Sequence, residues 1–181
     1  MRRWAVRGLA LLAMAILAAG GWAGWLHGTG NLHPVLAGQI YRSAQPSGAQ
    51  LQDWTAAHGF RSVLNLRGAS DADWYRIERA TAARLPLRHA DFAMRASQVL
   101  TPGRAATLMA LLDSLPRPVL IHCMGGADRT GLAAALYLAS LGHGEAKAEA
   151  QISFRYQHVS LPVSAAWPMD CDSATRRSPV P

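Results

Sequence analysis

The stretch Val119–Gly131 limits the folds open to this chain more than any other part of the sequence. The run Val119–Ile121 is short and apolar, which predicts a buried strand. Cys123 follows that strand, five residues including two glycines separate it from Arg129, and an apolar, alanine-containing segment over 132–141 predicts a mostly buried helix. The sequence therefore predicts a strand, a tight loop and a helix, with a thiol where the loop begins and a guanidinium where it ends.

These residue types suit nucleophilic attack on a phosphate group. The thiolate is the nucleophile, and the unpaired N–H groups and positive dipole end at a helix N-terminus stabilise it. The same donors bind phosphate oxygens, and Gly125 and Gly126 let the backbone approach an anion closely. Arg129 offers a planar fork that matches two phosphate oxygens. The hydroxyl of Thr130 is placed to hydrogen-bond the sulfur when the sulfur becomes the leaving group.

The segment His122–Gly131 (HCMGGADRTG) resembles the signature of the cysteine-dependent protein tyrosine phosphatases, in particular their compact, dual-specificity-like bacterial branch. The resemblance extends over about residues 35–170. It implies that Cys123 forms a phosphocysteine, that Arg129 holds the phosphate and that an aspartate on another loop protonates the leaving oxygen. It implies no metal or other cofactor. The implied phosphate-binding residues are Met124, Gly125, Gly126, Ala127, Asp128 and Arg129.

Asp91 is the candidate general acid. It lies 32 residues before Cys123 and follows a predicted strand over 86–89, which resembles the position of the acid loop in compact dual-specificity phosphatases. The reaction needs a carboxyl group that protonates the leaving oxygen and then activates water. Asp71 and Asp73 are the alternatives, although both suit the first turn of a helix predicted over 71–85.

Three further side chains are candidate substrate contacts. Arg42 lies in the segment 41–46, which resembles the opening of the bacterial phosphatases, and is either a substrate-side cation or an ordinary ion-pair residue. Arg67 follows a predicted strand over 62–66, at the sheet edge where ligands bind, and is either a second phosphate contact or part of a salt bridge. Gln151 either orients the hydrolytic water, as a glutamine does in some relatives, or lies on a helix surface.

Alternating strands and helices indicate an α/β domain over 29–170, with a small, mostly parallel sheet of four to five strands flanked by helices. The resemblance makes this fold dual-specificity phosphatase-like. In the helix over 71–85, Trp74, Ile77, Ala80 and Thr81 are expected to face the core. The segment 28–34 is expected to be a linker, and the tail 171–181 to be disordered. The other predicted helices cover 47–58, 101–115 and 145–156.

Residues 1–28 are predicted to form a membrane anchor. Residues 8–26 carry no charge, and as a helix they would span about 28 Å, close to the thickness of the hydrocarbon core. Arginines before this run place the N-terminus in the cytoplasm. The expected location is the inner (plasma) membrane, with a single span and the catalytic domain facing the periplasm or outside. The alternative is a cleaved signal peptide and a secreted enzyme.

The formal net charge is +7, but the span 29–170 carries only about +3. Without a basic stripe interleaved with aromatic residues, a nucleic-acid partner is not indicated, whereas an anionic substrate suits this charge. The expected partners are a phosphorylated protein, lipid or glycan and, through the anchor, the membrane, and the protein is expected to be monomeric. Cys171 either pairs with Cys123 as a redox lock or is an unrelated tail thiol.

The favoured function is a protein tyrosine or dual-specificity phosphatase. The alternatives are a lipid or glycan-precursor phosphatase of the same mechanism, and a pseudophosphatase that only binds phosphoproteins. A rhodanese-type or arsenate-reductase-type thiol enzyme also uses a cysteine–anion loop, but it would not need Asp91.

Overall fold

The computed structural model describes residues 2–158. The strands are β1 (His33–Leu36), β2 (Ile40–Ser43), β3 (Ser62–Asn65), β4 (Arg88–Asp91) and β5 (Val119–His122). The helices are α1 (Arg2–Gly28), α2 (Gly48–His58), α3 (Asp73–Arg84), α4 (Pro102–Ser114), α5 (Asp128–Ser140) and α6 (Glu145–Glu149), followed by a 3-10 turn (Phe154–Tyr156). Cys171 and the tail 171–181 lie outside the described residues.

The five strands form one sheet in the order β1-β2-β5-β3-β4. The β2–β5, β5–β3 and β3–β4 pairs are parallel, which confirms the predicted α/β fold with a mostly parallel sheet. Strand β1 pairs antiparallel with β2 at the edge. The expectation of a linker over 28–34 is therefore wrong for its last two residues, where Pro34 is tolerated because an edge strand leaves one side unpaired.

The central strand β5 sends alternate side chains to the two faces of the sheet. Val119 and Ile121 pack into the larger core cluster with α4 and α5. Leu120 packs into the smaller cluster with α2 and α3. His122 has the same parity as Leu120 and contacts α3, whereas Cys123 belongs to the larger cluster. This alternation decides which neighbours the residues around the candidate nucleophile contact.

Local signals fix the ends of α2 as predicted. Ser47 caps the helix and forms a reciprocal capping box with Gln50. Gly59 ends it in the left-handed conformation, with φ of 67°. Helix α6 ends at Glu149, so the helix predicted over 145–156 is only partly present.

Helix α3 is rotated relative to the prediction. Thr81 is buried as expected, but Ile77 is 53% exposed and Ala80 lies on the surface. Glu78 is buried instead, with 1% of its surface exposed. The prediction for Ile77 and Ala80 is wrong because the inner face of this helix carries Glu78, Thr81 and Ala82, of which Glu78 meets two histidines of the sheet and Ala82 joins the smaller apolar cluster.

In the part of the chain that the structure describes, no helix meets the length and apolarity needed to cross a membrane. The predicted membrane span over residues 8–26 is not supported by this result.

Candidate active site

The candidate nucleophile lies at the centre of the carboxyl edge of the sheet. Cys123 directly follows β5 and is 3% exposed. The loop from Met124 leads into α5, where Arg129 is the second residue. A short loop between a buried strand and a buried helix therefore fixes the thiol and the guanidinium at the N-terminal end of α5.

One glycine of the loop is required by its surroundings. Gly126 has φ of 72°, and a Cβ added there would lie 2.6 Å from the backbone of Ser43 and Ala44 at the end of β2. A Cβ at Gly125 would meet nothing within 4 Å. The loop thus packs its backbone directly against β2 at Gly126, while the close approach of both glycines to an anion stays a prediction.

Arg42 lies beneath this loop and is fully buried. Its Nη2 donates to the carbonyl oxygens of Gly126 at 2.8 Å and Ala127 at 3.3 Å, and its Nη1 donates to the carbonyl oxygen of Gln151 at 2.6 Å. The guanidinium lies 3.7 Å from the centroid of the Tyr156 ring. Burial lowers the pKa of Arg42 to about 10, opposed by its interactions with Tyr156 and Cys123.

The expectation that Arg42 contacts substrate is therefore wrong, because both ends of its guanidinium bind main-chain carbonyls. Gln151 is also buried, and its Oε1 accepts from Arg42 at 3.1 Å, so its predicted role with water is wrong as well. The contribution of Arg42 is to hold two loop carbonyls on the underside. Because the N–H group of a peptide points opposite to its carbonyl oxygen, the N–H groups of these two peptides point away from Arg42.

Two other side chains hold the loop from the same side. The amide of Asn31 donates to the carbonyl oxygens of Gly125 at 3.2 Å and Tyr156 at 3.3 Å. Asp128 lies 2.8 Å from the Nδ1 atom of His158, so its carboxylate is engaged with the C-terminal segment. The candidate phosphate-binding loop is therefore held by one residue that lies far before it in the sequence and one that lies well after it.

Arg129 and Arg67 supply positive charge at the open side of the site. Arg129 donates to the carbonyl oxygen of Met94 at 3.4 Å, which joins α5 to the loop after β4. Arg67 stacks on Trp74 at 3.5 Å and donates to the Oε1 atom of Gln45 at 2.9 Å. Burial and then the charge of Arg129 lower the pKa of Arg67, while the Cys123 and Glu78 charges oppose this. The positive charge of Arg129 therefore acts on Arg67 at the open side of the site.

The structure places Thr130 in the first turn of α5 with no exposed surface. Its Oγ1 has no hydrogen-bond partner within residues 2–158. A buried hydroxyl without a partner is costly, and the hydrogen bond from Thr130 to the Cys123 sulfur that the sequence suggests stays a prediction.

Asp91 ends β4, two strands from β5 at the same edge of the sheet. Its Oδ1 accepts from the amide of Asn65 at 2.8 Å, and its Oδ2 accepts from the hydroxyl of Tyr75. Burial and this hydrogen bond raise the pKa of Tyr75. The fallback candidate Asp73 pairs with Arg76 on the surface of α3. Asp91 therefore lies at the carboxyl edge of the sheet with its carboxylate held on the α3 face, and its role as general acid stays a prediction.

A buried polar cluster beside the loop was not predicted. Glu78 lies 2.7 Å from the Nε2 atom of His89 and 3.1 Å from that of His122, and it also accepts from the amide of Gln45. Gln45 in turn donates from its backbone to the carbonyl oxygen of Met124. The sequence did contain a signal for this cluster. The two histidines occupy positions near strand ends whose side chains point to the same face of the sheet, which α3 covers.

Burial alone would raise the pKa of Glu78, but hydrogen bonds from His122, His89 and Gln45 lower it to about 2. A carboxyl whose folded pKa is depressed stabilises the fold above its unfolded pKa of about 4.5, and this contribution is lost as the pH falls towards 2. We expect the free energy of unfolding to fall by about 3 kcal/mol over that range from this residue alone.

Urea unfolding at pH 6, 4 and 3 measures this loss, with Glu78→Gln expected to show a weaker dependence on pH. The control is Asp113→Asn, which changes an exposed carboxylate on α4. Equal pH dependence in the wild type and Glu78→Gln would contradict the prediction.

No group of three or more His, Cys, Asp or Glu side chains within residues 2–158 is arranged to hold a metal ion. A cavity of about 490 Å³ opens beside Met94 and continues along the loop to α4. Arg95 and Arg104 line it together with apolar side chains that include Val99 and Leu100.

A sequence model of the tyrosine phosphatase family matches residues 23–151. The chain belongs to this family. The matched region includes β5, the loop and α5, and therefore contains both Cys123 and Arg129. A search of curated protein sequences found no match.

Solved structures share the fold of this tyrosine phosphatase family member. A P. aeruginosa TpbA cysteine-to-serine variant, in complex with phosphotyrosine, is 20% identical, with a TM-score of 0.60 over 75% of this chain and 78% of that one. The core catalytic domain of the S. cerevisiae PP-IP phosphatase SIW14, in complex with citrate, is 19% identical, with a TM-score of 0.60 over 77% and 82%. At these identities the likeness establishes the fold alone.

Proposed function

We propose that this protein hydrolyses phosphate monoesters through a phosphocysteine intermediate formed on Cys123. The observation that carries the proposal is the arrangement of the loop. Arg42 binds the carbonyl oxygens of Gly126 and Ala127 from below, which leaves the peptide N–H groups to face an anion above Cys123. Arg129, at the N-terminal end of α5, adds a bidentate cation. Membership in the tyrosine phosphatase family supports the same chemistry.

The reaction has two steps. The Cys123 thiolate attacks phosphorus in line, the P–O bond to the leaving group breaks, and Asp91 gives its proton to the leaving oxygen. Water then attacks the phosphocysteine, Asp91 takes a proton from that water, the P–S bond breaks with its electron pair on sulfur, and inorganic phosphate leaves the regenerated Cys123 thiolate. Arg129 and the loop amides bind the equatorial oxygens throughout, and Thr130 donates to the departing sulfur.

Phosphotyrosine, free or in proteins, is the proposed substrate. The cavity beside Met94 is lined by the apolar side chains Val99 and Leu100, and Arg129 reaches its edge by donating to the carbonyl oxygen of Met94, which supports an aromatic ring on the phosphate. The TpbA structure with phosphotyrosine shows that a protein of this fold accommodates that group. Arg95 and Arg104 favour a second candidate, a substrate with additional anionic groups, because both line the same cavity.

A panel of phosphorylated substrates tests the proposal. The full chain is assayed under reducing conditions with p-nitrophenyl phosphate, a phosphotyrosine peptide, a phosphoserine peptide, a lipid phosphate and a phytate-type polyphosphate. We expect release of phosphate from the aryl phosphate and the phosphotyrosine peptide first. Binding without turnover would instead indicate a pseudophosphatase, and preference for the polyphosphate would favour the second candidate.

Replacement of Asp91 by asparagine tests the general acid. We expect kcat for phenyl phosphate to fall by about 10²- to 10⁴-fold, because phenolate is a poor leaving group without a proton. The loss should be much smaller for p-nitrophenyl phosphate, whose leaving group needs little protonation. Steady-state kinetics with both esters measure the difference, and Asp113→Asn is the control. An equal loss with both esters would show that Asp91 acts in some other way.

A further inference from the structure

Asp128 places a negative charge inside the loop that is proposed to bind a phosphate. Arg42 donates to the carbonyl oxygen of Ala127, and the peptide that carries this oxygen also carries the N–H group of Asp128. That N–H group therefore points away from Arg42, towards the proposed anion. A carboxylate on the same residue would repel the phosphate unless it is held to one side. The proposed mechanism assigns no role to this charge.

A carboxylate without a fixed position in the first turn of α5 would also compete with the substrate. The first N–H groups of a helix lack partners within the helix, and a side-chain oxygen near the N-terminus can accept from them. The helix dipole stabilises a negative side chain there for the same reason that it stabilises a phosphate. Because Asp128 is the first residue of α5, its carboxylate and the phosphate would compete for the same donors.

His158 supplies a different partner for this carboxylate. Its Nδ1 atom lies 2.8 Å from the Oδ1 atom of Asp128. Only 3% of the His158 side chain is exposed, against 33% of the Asp128 side chain. Because an ionised carboxylate only accepts hydrogen bonds, this geometry assigns a proton to Nδ1. The carboxylate of Asp128 is therefore directed to the C-terminal segment, whereas its N–H group is directed to the proposed anion.

The segment that carries His158 is fixed beneath the loop by contacts of its own. The amide of Asn31 donates to the carbonyl oxygen of Tyr156 as well as to the loop. The ring of Tyr156 packs on the guanidinium of Arg42, which also binds the loop. The backbone N–H of His158 donates to the carbonyl oxygen of Ser153 at 3.2 Å. The position of His158 relative to the loop is therefore set by several contacts besides the one with Asp128.

We propose that His158 is a positioning residue of the active site, which holds the carboxylate of Asp128 away from the phosphate and leaves the loop N–H groups open to it. This inference rests on the proposed phosphatase function, in which the loop binds the phosphate of the substrate. His158 lies outside the region that the family model matches, so membership in the family does not by itself supply this contact. The expected consequence concerns the affinity of the site for an anion.

The test measures binding of tungstate, an oxyanion that resembles phosphate and needs no turnover. Isothermal titration calorimetry of the full chain under reducing conditions gives Kd. We expect His158→Leu, which removes the donor but keeps a buried side chain, to raise Kd about tenfold. His158→Asn keeps a donor near the position of Nδ1 and is expected to keep Kd within about twofold of the wild type. The control is His143→Leu, the same substitution in the turn after α5.

A double variant separates the charge of Asp128 from the packing of His158. Asp128→Asn removes the negative charge that His158 is proposed to restrain. Once that charge is absent, His158→Leu is expected to change the tungstate Kd by less than about twofold. A further tenfold loss in the folded double variant, with folding checked by thermal unfolding, would show that His158 acts through packing and would overturn the proposal.

The outcomes distinguish this inference from the proposed function. Equal Kd values for the wild type and folded His158→Leu would overturn the role of His158 and leave the proposed phosphatase function standing. A wild-type protein that binds no tungstate would overturn the phosphate site itself and this inference with it. Turnover of the aryl phosphate, measured in the substrate panel, is independent of both results.

A measurement on the wild type covers the case in which His158→Leu fails to fold. Nitrogen NMR of ¹⁵N-histidine-labelled protein reports which ring nitrogen of His158 carries a proton, with His158→Asn supplying the assignment. We expect Nδ1 to be protonated both with and without tungstate. A neutral His158 protonated on Nε2 alone would overturn the proposal, because that ring could not donate to Asp128 from Nδ1.

Discussion

Replacement of Cys123 by serine is expected to lower kcat for p-nitrophenyl phosphate by at least about 10⁴-fold. A serine hydroxyl at this position is not ionised near neutral pH, so it cannot attack phosphorus as the thiolate does. No base in the described site is hydrogen-bonded to position 123 to compensate. The backbone of the loop and its contacts with Arg42 do not depend on the sulfur, so the variant should still fold.

Three measurements make this expectation specific. Steady-state turnover gives the loss, thermal unfolding confirms that the variant is folded, and binding of the phosphotyrosine peptide should be retained. Acid quenching of the wild type during turnover, followed by mass spectrometry, should find a phosphoryl group on the peptide that contains Cys123. Turnover in the serine variant within a hundredfold of the wild type would identify a different nucleophile.

Replacement of Arg129 by lysine is expected to lower kcat/KM by about 10³-fold. Lysine keeps the positive charge but loses the planar fork that can bind two phosphate oxygens at once. It also loses the geometry with which Arg129 reaches the carbonyl oxygen of Met94. The loss should appear mainly in kcat, because the equatorial oxygens demand most charge stabilisation in the transition state.

A second substitution separates charge from geometry at this position. Arg129→Met removes both, and it should lose more activity than the lysine variant by the amount that the charge alone contributes. Arg84→Lys, on the exposed side of α3, is the control. Near-full activity of Arg129→Lys would show that a point charge is sufficient there and would contradict the bidentate role.

Much of the fold could be predicted because its signals are local. The apolar run Val119–Ile121 is a strand, and the capping pair Ser47 and Gln50 starts α2 where expected. The position of the cysteine loop between strand and helix follows from the same kind of local pattern. Helix α3 shows the limit, because an apolar periodicity assigned Ile77 to the core and did not include Glu78, which the structure buries.

The errors at the candidate site share one cause. Arg42 and Gln151 are close in space only because β2 pairs with β5 and the chain after α6 returns beneath the loop. Nothing in the residues around either position indicates that contact. A buried arginine and an exposed, substrate-binding one have the same local sequence signals, and only its partners distinguish them.

The sequence alone determined the family to which this protein belongs, because a cysteine, two glycines and an arginine within one strand–loop–helix segment need no distant residue to be recognised. Only the tertiary structure decided what surrounds that segment. Strand order brings His122 and His89 onto one carboxylate, and strand pairing places Arg42 under the loop. The physical reason is that burial and hydrogen bonding of charged groups depend on contacts between residues far apart in the chain, which local patterns do not encode.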